Sequence, residues 1–173
     1  MIIIGLSLFY LVVYFYWSWQ RSDYNHINQT ISELGESGSK VEKGVAYTFF
    51  LPVGLVLLYL CFQSLSNQYV AMLFGAVAIG YIGAAFFPID KGAPVSNGTW
   101  KNGLHNLFGG VEYIGALAAL NYLKPELGLL STLVQAAIVI FVIGLYIPLL
   151  RQYRGLLQRV AEMALFFVLW KVL

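Results

Sequence analysis

The sequence predicts an all-α integral membrane protein: a six-helix bundle with a long polar loop between its first and second helices. Three observations point there. Hydrophobic residues make up 60% of the 173 and charged residues only 10%, whereas a soluble domain carries about 25% charged residues. The apolar residues gather into six runs, each near the roughly 20 residues that a spanning helix needs. The runs are continuous rather than alternating, which fits helices and not a barrel.

The runs cover 2–19, 45–63, 69–87, 104–122, 127–150 and 156–173. Residues 1–173 read as a single transmembrane domain, with no length left for a soluble one. The first run lacks a basic leader and a small-residue cleavage site, so it is expected to be a retained helix. Pro52 is expected to kink the second helix. Gly75, Gly80, Gly83 and Ala84 let the third approach its neighbours closely. The connections at 64–68 and 123–126 are tight turns. Those at 20–44 and 88–103 are long and polar, and long connections tend to be functional.

Orientation follows the basic residues. Arg21, Lys40, Lys43, Lys91, Lys101, Arg151, Arg154 and Arg159 fall on the long-loop side, and Lys124 and Lys171 on the other. The long loops are therefore expected in the cytoplasm and both termini outside. Trp17, Trp19 and Trp100 mark one interface and Trp170 the other. Arg151, Arg154 and Arg159 read most simply as a stop signal touching lipid headgroups. A net charge of +2 is too small and scattered for nucleic acid. Lone Cys61 precludes an internal disulfide. Asn28-Gln29-Thr30 and Asn97-Gly98-Thr99 match the glycosylation pattern, a short and frequent match.

The polar stretch 24–38 holds one of two histidines and two of eight acids. It is expected to fold back over the helix ends as a lid or site wall. Thr30 with Glu33 fits a capping box that starts a short helix, and Ser39 with Glu42 fits one that starts the second membrane helix. His105 and Glu112, seven apart, share a face of the fourth helix with Gly109 and Ala116. A carboxylate in a spanning helix is costly and marks a functional site by default; a structural hydrogen bond is the plainer alternative. His105 lies in the first helical turn, where the dipole disfavours imidazolium, leaving a neutral base or ligand. Asp90 stands where an interfacial site needs a carboxylate, or simply forms a turn. Ser32 and Glu33 form a candidate site pair, although capping alone explains Glu33. His26 is a second candidate ligand-binding imidazole. A zinc set of His26, His105 and a carboxylate lacks any closely spaced ligand pair, so no metal is expected, and no cofactor motif is recognisable.

Tyr24 to Gly35, ending Ile31-Ser32-Glu33-Leu34-Gly35, then Phe87-Pro88-Ile89-Asp90, then His105-Asn106, resemble a prokaryotic six-helix membrane family. It is catalogued as domain of unknown function nine-nine-eight. Ser32, Glu33, Gly35, Pro88, Asp90 and His105 match its motifs. The pattern is more distantly similar to the Frag/DRAM/Sfk group, which includes a lipid-remodelling factor for glycosylphosphatidylinositol anchors. The resemblance implies a six-helix architecture in a prokaryotic inner membrane, and no activity. The alkaline-ceramidase-like hydrolases use Ser, Asp and three His; this chain has two histidines and departs from that pattern. Two functions compete. One is a protein binding or processing a lipid-like amphiphile at the interface, with His105, Asp90, Ser32 and Glu33 as catalytic candidates and His26 and Glu112 touching ligand. The other is a small accessory subunit of a larger membrane complex. Membrane lipids are the expected partners, with other membrane subunits in the second case. A carrier is a weaker third reading, since no repeat is visible.

Overall fold

The computed structural model describes residues 2–93 and 98–173, so Asn97 and its glycosylation match lie outside the described residues. In chain order the helices are α1 (Ile2–Gln20), α2 (Ile31–Leu34), α3 (Glu42–Gln63), α4 (Gln68–Phe86), α5 (Trp100–Tyr122), α6 (Lys124–Leu127), α7 (Leu129–Tyr146), α8 (Pro148–Arg151) and α9 (Arg154–Lys171). There is no strand among the described residues. Four helices, α1, α3, α4 and α7, are long and apolar enough to cross a membrane, and they mark the chain as a membrane protein. Helices α5 and α9 have comparable lengths, 23 and 18 residues, but bury polar groups inside the bundle. Those are Asn102, His105 and Glu112 on α5, and Gln158 and Glu162 on α9. The polar content that keeps these two out of an apolar count is what builds the interior of the protein.

The element ends follow local chemistry. Helix α5 starts at Trp100 rather than at 104, because the Thr99 side chain accepts from the Asn102 N–H at 3.3 Å and caps it. Helix α7 stops at Tyr146 rather than running to 150. Ile147 is extended at φ −85° and ψ 116°, as the residue before a proline tends to be. Pro52 acts through a widened turn over Ala46–Phe50: its ring crowds the carbonyl four residues back, and the i→i+5 turn makes room. The Ser39–Glu42 box does not form. The α3 N-cap is Val41, with no side-chain cap bond, and the Glu42 carboxylate instead accepts from the Gly38 N–H at 2.6 Å.

Helix α4 packs between α3 and α5, α9 packs on α7, and α1 lies across α9 and α3. Phe49, Leu57, Leu73, Phe74, Leu120, Ile138, Leu165 and Leu169 fill the centre. Hydrocarbon solvates leucine as well as a protein core does, so close fit and internal hydrogen bonds carry the packing.

Residues 21–41 do not trail outside the bundle. Thr30, Ile31, Glu33, Leu34 and Glu36 are buried, and α2 is docked against α9. The Thr30 box is complete: Thr30 Oγ1 accepts from the Glu33 N–H and the Glu33 carboxylate accepts from the Thr30 N–H at 2.7 Å. Arg154 then donates twice to Glu33, at 3.0 and 2.7 Å. Arg21 donates to Glu36 and to the carbonyls of Glu33 and Leu34. Gly155 permits the contact with α9, since a Cβ there would collide with the Gln29 carbonyl. The Leu156 N–H donates to the Ile27 carbonyl at 3.0 Å, and the Ser37 N–H to the Ile89 carbonyl at 2.8 Å. Of the three arginines expected at lipid headgroups, Arg154 and Arg159 turn inward onto this segment, and Arg151 alone is exposed.

Candidate functional site

A cavity of about 320 Å³ lies beneath α2, walled by α4, α5, α7 and Gln158 of α9. Thr30 and Ser32 of the docked segment, His105 and Asn106 of α5, and Ile89 and Ala93 reach it from the α2 end. Deeper down are Gly80, Glu112 and Tyr113, and Phe141, Val142 and Leu145 give it an apolar wall. The seven-residue spacing of His105 and Glu112 puts both on one stripe of α5. A Cβ placed at Gly109 or Gly110, on the same helix, would meet open space. The small residues along this stripe leave the volume that larger side chains would fill.

His105 is buried, and its Nδ1 lies 2.8 Å from the Phe87 carbonyl oxygen. A carbonyl only accepts, so Nδ1 carries the proton and Nε2 is left as the basic nitrogen. The orienting contact for the imidazole is thus the Phe87 carbonyl, just past the end of α4. The Asp90 carboxylate is engaged by the Thr99 N–H at 2.6 Å and the Thr99 hydroxyl at 3.0 Å, and Asp90 is not among the residues lining the cavity. It shapes the approach to α5, as a turn aspartate does. Ser32 lines the cavity. Glu33 points away into its cap and the Arg154 pair, with almost no exposed surface.

His26 sits elsewhere, above α1 and α9. Its Nδ1 lies 2.6 Å from the Tyr14 hydroxyl. Arg159 donates to that same hydroxyl oxygen at 2.8 Å, which leaves the Tyr14 proton for the imidazole. Partial burial and the nearby Arg159 hold the His26 pKa below its usual value. Arg159 also donates to the Tyr24 hydroxyl and to the carbonyls of Gln29 and Gly155. Among the described residues no three His, Cys, Asp or Glu gather where they could hold a metal ion.

Glu112 has a partner that sequence reasoning overlooked. The carboxyl groups of Glu112 and Glu162 are in hydrogen-bonding contact. Tyr81 and Tyr113 donate to the two oxygens of Glu162, at 2.9 and 2.7 Å. Gln158 donates to the Tyr113 hydroxyl at 3.2 Å and accepts from the Ile31 N–H at 2.6 Å. One chain of hydrogen bonds therefore runs from α2 to the carboxyl pair at mid-helix. Gly80 makes room for it, since a Cβ there would overlap the Glu112 carboxyl. Glu112 Oε1 is buried and has no partner. The signal for Glu162 was present: it is the second carboxylate inside an apolar run, the same feature that singled out Glu112.

No curated protein and no solved structure matches the chain. A family model described as a protein of unknown function (DUF998) matches residues 3–172. The cavity, the docked segment and the polar interior of α5 and α9 are thus features of a chain that belongs to the DUF998 family.

Proposed function

We propose that this is a six-helix membrane protein that binds a lipid-like amphiphile in the cavity beneath α2, with both termini on one side of the membrane. The supporting observation is the cavity's polarity. Thr30, Ser32, His105 and Asn106 cluster at one end, and Ile114, Phe141, Val142 and Leu145 supply apolar surface. A pure anchor has no use for such groups, because hydrocarbon offers them no partners. A volume of about 320 Å³ is at the small end of ligand sites, roughly 300 to 1,000 Å³. It suits a headgroup and the first part of a chain, with the remainder lying along the exposed side of Ile114 and Tyr146. The unpartnered Glu112 Oε1 favours a ligand that carries a hydrogen-bond donor, a hydroxyl or an amine. If the bound molecule reacts, His105 Nε2 is the base and Ser32 or a water is the attacking group, by nucleophile–base logic. In that case the Phe87 carbonyl holds the imidazole in orientation.

Wild type, Gly109→Leu and His105→Ala, purified in one detergent and extracted for lipid mass spectrometry, test this. Leucine at 109 projects into the open space of the cavity. Wild type is expected to retain one lipid class near one molecule per chain. Gly109→Leu loses it, and His105→Ala retains less. Folded proteins with identical, nonspecific lipid profiles would favour the accessory-subunit reading instead.

A further inference from the structure

We propose that Glu112 and Glu162 share one exchangeable proton, reached from the cavity beneath α2 on one side and from a second cavity between α1 and α9 on the other. The second cavity, of about 360 Å³, is lined by Tyr10, Leu11, Tyr14, Arg159, Glu162 and Phe166, among others. Glu112 lines the first cavity and Glu162 the second. The carboxyl pair is thus the polar link between the two spaces.

Two carboxylates in contact at low dielectric cannot both be charged, so one proton lies between them. The donor count says where it rests. Glu162 receives the Tyr81 and Tyr113 hydroxyls, which favours its ionised form. Glu112 has an oxygen with no partner and becomes the acid that donates to Glu162. Charge balance agrees. Arg159 lines the second cavity with Glu162, and its hydrogen-bond partners are the neutral Tyr14, Tyr24, Gln29 and Gly155 groups. Among the described residues no carboxylate forms a salt bridge with it. A pair holding one proton carries one net negative charge, which offsets this one cation. The other groups around the pair are Tyr10 of α1, Tyr81 of α4 and Tyr113 of α5, with His105 on the first cavity.

The transfer is balanced. The Glu112 O–H bond breaks as a Glu162 O–H bond forms, the pair keeps a single negative charge, and nothing is oxidised. Uptake by Glu112 from the first cavity, which leaves the pair briefly neutral, followed by release from Glu162 to the second restores the starting state. The chain Ile31–Gln158–Tyr113–Glu162 makes the stability of that ionised oxygen depend on whether α2 is docked.

Infrared spectroscopy of the full chain in lipid tests the site. Wild type at neutral pH should show a protonated-carboxyl band that shifts in heavy water. Glu112→Gln should lose the band, and Glu162→Gln should keep it at a shifted frequency. Leu11→Trp, which obstructs the second cavity, and Gly109→Leu, which obstructs the first, should each slow deuterium exchange of the band by about twofold or less, and together by at least tenfold. A wild type without the band, or one whose stability instead rises with added sodium, overturns the shared proton. Complete blockage of exchange by either single cavity variant overturns two-sided access.

Discussion

Replacing Arg154 by methionine probes how residues 21–41 are held down. The Glu33 side chain is 1% exposed and that of Arg154 16%. Three donors reach the carboxylate: two from Arg154, at 3.0 and 2.7 Å, and the Thr30 N–H at 2.7 Å. Arg154→Met leaves a buried charge with a single donor. Removing one partner of a buried pair costs about 3–5 kcal/mol, and the partial exposure of Arg154 argues for the lower figure. The penalty should appear as local undocking rather than global unfolding, because the segment is a separable unit over the helix ends. About 3 kcal/mol is roughly a hundredfold in the opening equilibrium. Hydrogen exchange of the peptide covering residues 30–36 should therefore accelerate by about that factor while α3 and α4 stay protected. Adding Glu33→Gln removes the orphaned charge and should recover most of the loss. Exchange within twofold of wild type in Arg154→Met, or a double variant no better than the single, would show that the Arg154–Glu33 pair does not hold the segment down.

Other outcomes follow from the same contacts. His26 has a pKa held below the ordinary 6.5 by desolvation and by Arg159, so the folded state binds its proton less readily than the unfolded chain. Its contribution is present above about pH 6.5 and is lost as the pH falls through the lowered folded value. The thermal midpoint should decline across that window in wild type, and less steeply in His26→Asn. An unchanged slope would contradict the lowering of the His26 pKa by desolvation and Arg159. Gly80→Ala drives a methyl into the Glu112 carboxyl and should cost about 2 kcal/mol, or roughly 4–8 °C of apparent midpoint in a chain of this size; a neutral substitution would show that the pair is not packed against α4. Cysteines at Ser37 and Lys101, both exposed, should label from the same side of the membrane. Opposite labelling would remove the six-span topology.

Local rules were legible in the sequence where all participants lie within a few residues. The Thr30–Glu33 box is such a case, and so is the shared face of His105 and Glu112. The family motif carried the identification, which the family model then matched over residues 3–172. Long-range pairing was not legible. Arg154 meets Glu33 and Tyr81 meets Glu162 across 121 and 81 residues, and composition gives no register for such contacts. Two arginines that look like headgroup contacts by position instead have a buried acid and a tyrosine cluster to satisfy. Thr99 holds the Asp90 carboxylate and the Phe87 carbonyl serves the His105 imidazole, contacts to a loop residue and a main-chain oxygen that residue spacing does not reveal. The sequence reads six spans, and four of the helices are long and apolar enough to cross a membrane, because α5 and α9 bury polar residues inside the bundle.

Photo-crosslinking with a diazirine-tailed long-chain alcohol or amine, in native membranes followed by peptide mapping, would show whether the cavity beneath α2 takes an amphiphile. Adducts are expected to concentrate on Ile114 of α5 and on Val142, Leu145 and Tyr146 of α7, to be competed by unlabelled amphiphile and to diminish in Gly109→Leu. Adducts spread over the outward faces of α1 and α3, unchanged by competitor and by Gly109→Leu, would contradict amphiphile binding there.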